Sequence, residues 1–252
     1  MIANHAPLEL KSGRDSTSTP RSISGRMAFL APEPLKLNGG CLCSAIRYTI
    51  KVPHLDSRPL WPGALPTPID KEGQTVETRL PLIDIDHCKS CRRACGGLIQ
   101  CWFICPQSWV EFKLQPRTGF RQASHAESIN SADAVPYACA DIANPVPKTI
   151  DGTYLGHYLS SPNVHRCFCT RCGTGLTWST SRDRGPEWKL GDIVDIAVGT
   201  LDQESIERVR PDRHGWFDHG TGWIKEMVTG GDQGLIRHST GRIDQEAKST
   251  AS

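Results

Sequence analysis

The chain is short of several things that would have settled its class at once. Its 252 residues carry 29 Lys and Arg against 27 Asp and Glu. A formal net charge of +2 gives no strong field for nucleic acid, and no basic stripe with interleaved aromatics is present. Long hydrophobic runs are missing too. The most apolar stretch, 98–105, is far too short to cross a bilayer, so no membrane partner is expected. The first residues lack the apolar core and small-residue cleavage site of a secretory signal. Residues 12–26 are rich in Ser, Thr and Arg, but Glu9 and Asp15 speak against a mitochondrial transit segment, and a disordered arm is expected. Helical periodicity is weak throughout, and no internal repeat of fixed period is found.

What the chain has in excess is cysteine. Eleven of them, with no export signal, read as the reduced thiols of a cytoplasmic protein, where paired cysteines serve metal binding or catalysis. The odd total also argues against a complete disulfide framework.

Three parts are expected: a flexible arm over 1–35, one zinc-holding domain over 36–226, and a flexible tail over 227–252. Residues 36–52 read as strand, with a Gly39-Gly40 turn and then alternation from Cys41 to Ile50. Residues 53–80 hold five of the eighteen prolines and read as a long loop insertion. Residues 82–113 form a second β-rich stretch, with a turn at 88–91 and a buried strand at 98–104. A second insertion, about 120–154, has room for short helices at most. Short strands are expected at 156–160, 166–169, 175–179 and 193–198. The fold class is therefore mainly β, with few helices.

Two cysteine pairs point to a closed metal site. In a strand, the sulfurs of Cys41 and Cys43 would share a face. Cys169-Thr170-Arg171-Cys172-Gly173 is a C-x-x-C-G turn, in which the backbone curls around an ion and glycine relieves the exit. Four thiolates suit tetrahedral zinc, and closure across so long a loop would make zinc part of the folding energy.

A second motif is Asp86-His87-Cys88-Lys89-Ser90-Cys91-Arg92-Arg93. Cys88 and Cys91 form another C-x-x-C pair, and Asp86, two residues earlier, can face the same way as Cys88. Two thiolates and a carboxylate leave a fourth position open, the arrangement of catalytic zinc. His87 is the alternative third ligand. Arg92 and Arg93 would lower the thiol pKa values and hold an anionic substrate, or else form a solvated basic turn. Cys95, Cys101, Cys105, Cys139 and Cys167 fall at no ligand spacing, and Cys101 and Cys105 are expected in the core. His214 and His219, near Trp216 and Trp223, could line a pocket.

At these residues the chain resembles a known family, the glutathione-dependent formaldehyde-activating enzymes and their centromere protein V relatives. Gly39-Gly40-Cys41-Leu42-Cys43 with Ile46-Arg47-Tyr48 resembles the family's G-x-C-x-C-G-x-V-x-Y. His87 to Arg93 resembles C-H-C-x-x-C-R. Arg166-Cys167-Phe168-Cys169-Thr170-Arg171-Cys172-Gly173-Thr174 resembles R-x-F-C-x-x-C-G-T. Val198-Gly199-Thr200-Leu201-Asp202, Pro211 and Trp223 follow the C-terminal pattern. The resemblance implies a zinc-pinned β-tent of short antiparallel strands and two zinc ions per chain. The structural ion would be held by Cys41, Cys43, Cys169 and Cys172, and the catalytic one by the middle motif. It also implies carbon–sulfur lyase chemistry on S-hydroxymethylglutathione or a similar thiol adduct. Asp86 stands where the family usually has cysteine, and Ser44 where it usually has glycine. The carboxylate is a harder ligand and leaves its metal more Lewis acidic. A zinc-bound hydroxide, Asp86 off the metal, and His87 are the candidates for a general base, and Asp202 is expected to cap a turn. The other functions in view are the same zinc site acting on a larger, non-glutathione metabolite, and a non-catalytic zinc-stabilised binding module.

Overall fold

The computed structural model describes residues 30–62, 77–117, 133–182 and 190–231, with the backbone of 67–68 and 75–76. The arm before residue 30, the tail after 231 and part of the second insertion lie outside the described residues.

The strands are β1 (Leu35–Gly40), β2 (Ile46–Val52), β3 (Thr67–Pro68), β4 (Thr75–Val76), β5 (Leu82–Asp86), β6 (Gln100–Pro106), β7 (Val110–Leu114), β8 (Val135–Ala138), β9 (Leu155–Ser161), β10 (Val164–Cys169), β11 (Gly175–Thr180), β12 (Ile193–Ala197) and β13 (Arg213–Gly215). Among the described residues five short α-helices join them: α1 (Lys89–Cys95), α2 (Cys139–Ala143), α3 (Pro147–Gly152), α4 (Gln203–Ile206) and α5 (Gly222–Gly230). The fold is mainly β, as the sequence indicates. No described helix is long and apolar enough to cross a membrane.

Two sheets carry the structure. The first has the order β1-β2-β7-β8, the second β13-β5-β6-β12-β11-β10-β9, and β3 with β4 forms a small separate ribbon. In the first sheet, residues alternate in and out with the period of two that a half-buried sheet requires. Leu37, Tyr48, Ile50, Val110 and Phe112 point inward, while Lys36, Lys51, Glu111 and Lys113 face water. Their inner faces meet Ile83, Phe103, Cys105, Val194 and Ile196 of the second sheet in one continuous core. Phe103 and Phe112 are fully buried there. Truncating either to Ala would cost about 3–5 kcal/mol.

Strand β6 is buried on both sides. Phe103 and Cys105 face the core, whereas Trp102 and Ile104 pack on the outer surface of the second sheet. Cys105 is fully buried and Cys101 packs against the core, as expected of both. Cys139 and Cys167 are buried as well, and Cys95 is exposed.

Several local forecasts are corrected. The stretch 36–52 is two strands, broken by a turn that carries Cys41 and Cys43. The 88–91 segment opens helix α1, with Cys88 at its N-cap and Cys91 in its first turn. Helices α4 and α5 were not foreseen, being too brief for a periodic signal to stand out, and α5 runs to Gly230, inside the stretch read as a flexible tail. The second insertion, read as having room for short helices at most, also supplies strand β8, which pairs with β7. In the first insertion, Arg58 is buried and its guanidinium donates to the carbonyls of Pro53 (2.9 Å) and Ala31 (2.6 Å), tying this loop to the chain ahead of β1.

Candidate metal centres

Cys41 and Cys43 lie on the turn between β1 and β2, on the first sheet. Cys169 ends β10 and Cys172 lies in the following turn, on the second sheet. Both turns close by hydrogen bonds back onto their first cysteine. Ser44 N–H donates to the Cys41 carbonyl (3.0 Å), and Gly173 N–H donates to the Cys169 carbonyl (2.8 Å). Both also need a residue with positive φ, Ser44 at 60° and Gly173 at 78°. That conformation is why glycine is favoured in such a turn, and Ser44 adopts it at some conformational cost. The two sulfurs of the first pair therefore converge by a curl of the chain, not by sharing a strand face.

The four sulfurs all lie within 4.8 Å of one another. Cys41 and Cys43 are 3.6 Å apart, and Cys43 and Cys169 are 3.7 Å apart. A zinc ion at about 2.3 Å from each sulfur would set tetrahedral edges of about 3.8 Å, so the spacing fits such an ion without rearrangement. All eleven cysteines are free thiols, so no sulfur–sulfur bond competes. The Cys41 thiol is held down to about 5, chiefly by its hydrogen bond with Cys169, with further help from the Ile46 N–H at 3.3 Å. The same bond pushes the Cys169 thiol up. A thiolate is thus already favoured in the buried pair.

The second group is built on the outer face of the seven-stranded sheet. Asp86 ends β5, and its carboxylate lies with the sulfurs of Cys88 and Cys91 inside a 4.8 Å cluster. The carboxylate is fixed from two sides. Oδ1 accepts the Cys88 N–H at 2.8 Å, and Oδ2 accepts the indole N–H of Trp102 at 3.0 Å. Each oxygen keeps a lone pair for a metal. Asp86 and Cys91 are buried and Cys88 is half-buried. Trp102 and Ala197 bury Cys91, with Trp178 and Ile104 packed around them. These three donors could hold a metal ion, and the donor set of two sulfurs and one oxygen fits zinc.

Asp86, not His87, completes this group. Neighbouring residues of a strand point to opposite sides. His87 turns away, its Nε2 lying 3.0 Å from His214 Nδ1 and its ring meeting Phe217 edge-on. Burial, with His214 adding to it, lowers the His87 pKa. His219 stacks on the exposed Trp216, next to β13, and Trp223, on α5, is also exposed.

Arg92 and Arg93 do not act on the thiols as expected. Arg92 is half-buried, Arg93 is exposed, and neither bonds to a sulfur or a carboxylate among the described residues. Burial, together with a hydrogen bond to Asp86, pushes the Cys91 thiol up to about 12. The arginine that reaches this sulfur is Arg166 on β10, whose Nη2–H donates to Cys91 Sγ at 3.2 Å. It escaped notice as a site residue because it lies 75 residues along the chain. The available signal was its place at the head of the R-x-F-C-x-x-C-G-T pattern, three residues before Cys169. Asp202 is likewise reassigned. It sits at the N-cap position of α4, yet its carboxylate makes no capping bond and pairs with Arg47 on β2.

A cleft of about 610 Å³ opens on the first sheet, lined by Asn38, Arg47, Lys113, Tyr137 and Asp202 among others. It contains none of the residues of the second metal group. Compared with models of known protein families and with curated proteins, the chain matches none.

Proposed function

We propose that this protein is a zinc-dependent carbon–sulfur lyase acting on a thiol adduct of the S-hydroxymethylglutathione kind, in the manner of the formaldehyde-activating family its motifs resemble. The observation that carries the reading is the three-donor group Asp86, Cys88 and Cys91, separate from the closed four-sulfur group. Cys41, Cys43, Cys169 and Cys172 would hold a structural zinc, and Asp86, Cys88 and Cys91 a catalytic one. When bound, the second ion supplies Lewis acidity that stabilises a sulfur anion.

In the forward reaction the carbon–sulfur bond of the thiohemiacetal breaks and its electron pair stays on sulfur. The hydroxyl oxygen closes a carbonyl on the same carbon, and its proton leaves to a base. Of the side-chain candidates for that base, His87 faces away from the group, and Asp86 would serve only on leaving the metal. Trp102 and the Cys88 N–H hold that carboxylate in place, and Trp102 and Ala197 limit water around Cys91.

The test combines metal analysis with exchange measurements. The wild-type protein is expected to carry two zinc ions, and the double variant Cys88→Ser, Cys91→Ser one, with its fold retained. Exchange between formaldehyde, glutathione and their adduct, followed by NMR, should accelerate with wild type and not with the double variant. Complete unfolding of that variant, or retention of both ions, would sink the assignment of roles.

A second reading is favoured by Trp102 and Trp178 beside the group. The same chemistry would then serve a larger, apolar thiol adduct. Faster turnover of an aromatic thiol's formaldehyde adduct than of the glutathione adduct would select it.

A further inference from the structure

We propose that Arg166 is the fixed counter-charge of the second metal group, holding Cys91 as a thiolate ligand. This rests on the reading that Asp86, Cys88 and Cys91 bind a divalent ion.

Arg166 is 6% exposed, on a strand whose next residues, Cys167 and Cys169, turn to the core side. A buried guanidinium stays charged and needs an anion beside it. Among the described residues no carboxylate pairs with it. Its partners are Ser160 Oγ, which accepts from Nε at 3.1 Å, and Cys91 Sγ, which accepts from Nη2 at 3.2 Å. The hydroxyl is neutral, so the sulfur is the group that can carry the opposing charge.

The charge count runs the same way. A divalent ion with two thiolates and one carboxylate keeps one net negative charge, buried against Trp102 and Ala197. One guanidinium cancels it. Bonding to Ser160 from the β9 side fixes the plane of the guanidinium, so that Nη2 meets the sulfur. Cys169, three residues on, belongs to the first group, so the strand that carries Arg166 is anchored close by. Outer hydrogen bonds of this type orient a ligand and raise its affinity for metal.

Cobalt(II) titration of the metal-free protein, with chelator competition and the sulfur-to-cobalt charge-transfer bands, tests this. Arg166→Gln is expected to weaken the second ion about 10–100-fold and to leave the first unchanged. Arg166→Lys should recover a large part of that loss, since it restores the charge. An unchanged second affinity in Arg166→Gln overturns the proposal, and so does Arg166→Lys binding no better than Arg166→Gln. A single ion in the wild-type protein overturns both this and the lyase reading, whereas two ions with an indifferent Arg166 overturn this alone. The band of the four-sulfur group reports folding in each variant. Should Arg166→Gln not fold, Ser160→Ala decides: freeing Nε is expected to weaken the second ion roughly two- to tenfold, and an unchanged affinity overturns the proposal.

Discussion

The sulfurs of Cys43 and Cys169 lie 3.7 Å apart although 126 residues separate them in the chain. One belongs to the turn of the four-stranded sheet and the other to the end of β10 in the seven-stranded sheet. A metal ion at this point ties the two halves of the core together. Structural zinc contributes roughly 10–16 kcal/mol in small zinc domains, as much as the whole stability of most proteins, about 5–15 kcal/mol. Cys169→Ser should therefore leave no cooperative unfolding transition at 25 °C, as followed by near-ultraviolet circular dichroism in denaturant. Cys91→Ser should keep one. The reverse ranking would mean that the four-sulfur group is not the one on which the fold depends.

Gly173 gives a finer test of the same turn. Its φ of 78° is left-handed, and a Cβ built there meets nothing within 4 Å. Substitution thus brings a conformational cost with no clash. Gly173→Ala should lose about 1–2 kcal/mol in urea denaturation with metal content unchanged, and Gly173→Asn should lose less, because asparagine tolerates this conformation. Equal losses for Ala and Asn would point to a different origin.

Much of this was legible in the residues because cysteine spacing is a local signal with few alternatives. The two C-x-x-C pairs, the C-x-C pair and Asp86 all fall where the sequence grouped them. The mainly β class followed from short apolar runs such as 98–104, close to the observed β6. What was not legible depends on partners distant in the chain. Nothing local to Arg92 or Arg93 says that the arginine at the sulfur is Arg166, since that depends on β10 lying across the sheet from α1. Asp202 was expected to cap a turn, and its partner Arg47 is 155 residues away. The strand reading of Cys41 and Cys43 failed for a local reason. Alternation in 41–50 continues through a turn that Ser44 makes in a conformation serine seldom adopts.

Trp102 should matter to the second group through one bond. Its indole N–H donates to Asp86 Oδ2, opposite the Cys88 N–H on Oδ1. Trp102→Phe keeps an aromatic ring against Cys91 but frees one side of the carboxylate. Removal of such an orienting partner costs about 10–100-fold in metal affinity. The second ion should weaken by that factor in chelator competition while the first is unaffected. Equal affinity in the variant would mean that the carboxylate is held well enough by the backbone alone.

Acid should destabilise the fold partly through His157, which is in neither metal group. His157 Nε2 lies 3.0 Å from His165 Nδ1, and His165 Nε2 lies 3.0 Å from Ser181 Oγ. Burial, with His165 adding to it, holds the His157 pKa below the ordinary histidine value. The unfolded chain then takes up a proton at a pH where the folded one resists it. Stability from this source is complete above the ordinary value of about 6.5 and is lost as pH falls through it toward the lower folded value. Both metal groups also weaken in acid, so the comparison must cancel them. His157→Gln removes the titration and leaves the cysteines and Asp86 in place. Between about pH 7.5 and pH 5.5 the wild-type protein should lose more stability than His157→Gln in parallel denaturant titrations. Parallel losses across that range would show that His157 is protonated equally easily in the folded and unfolded chains.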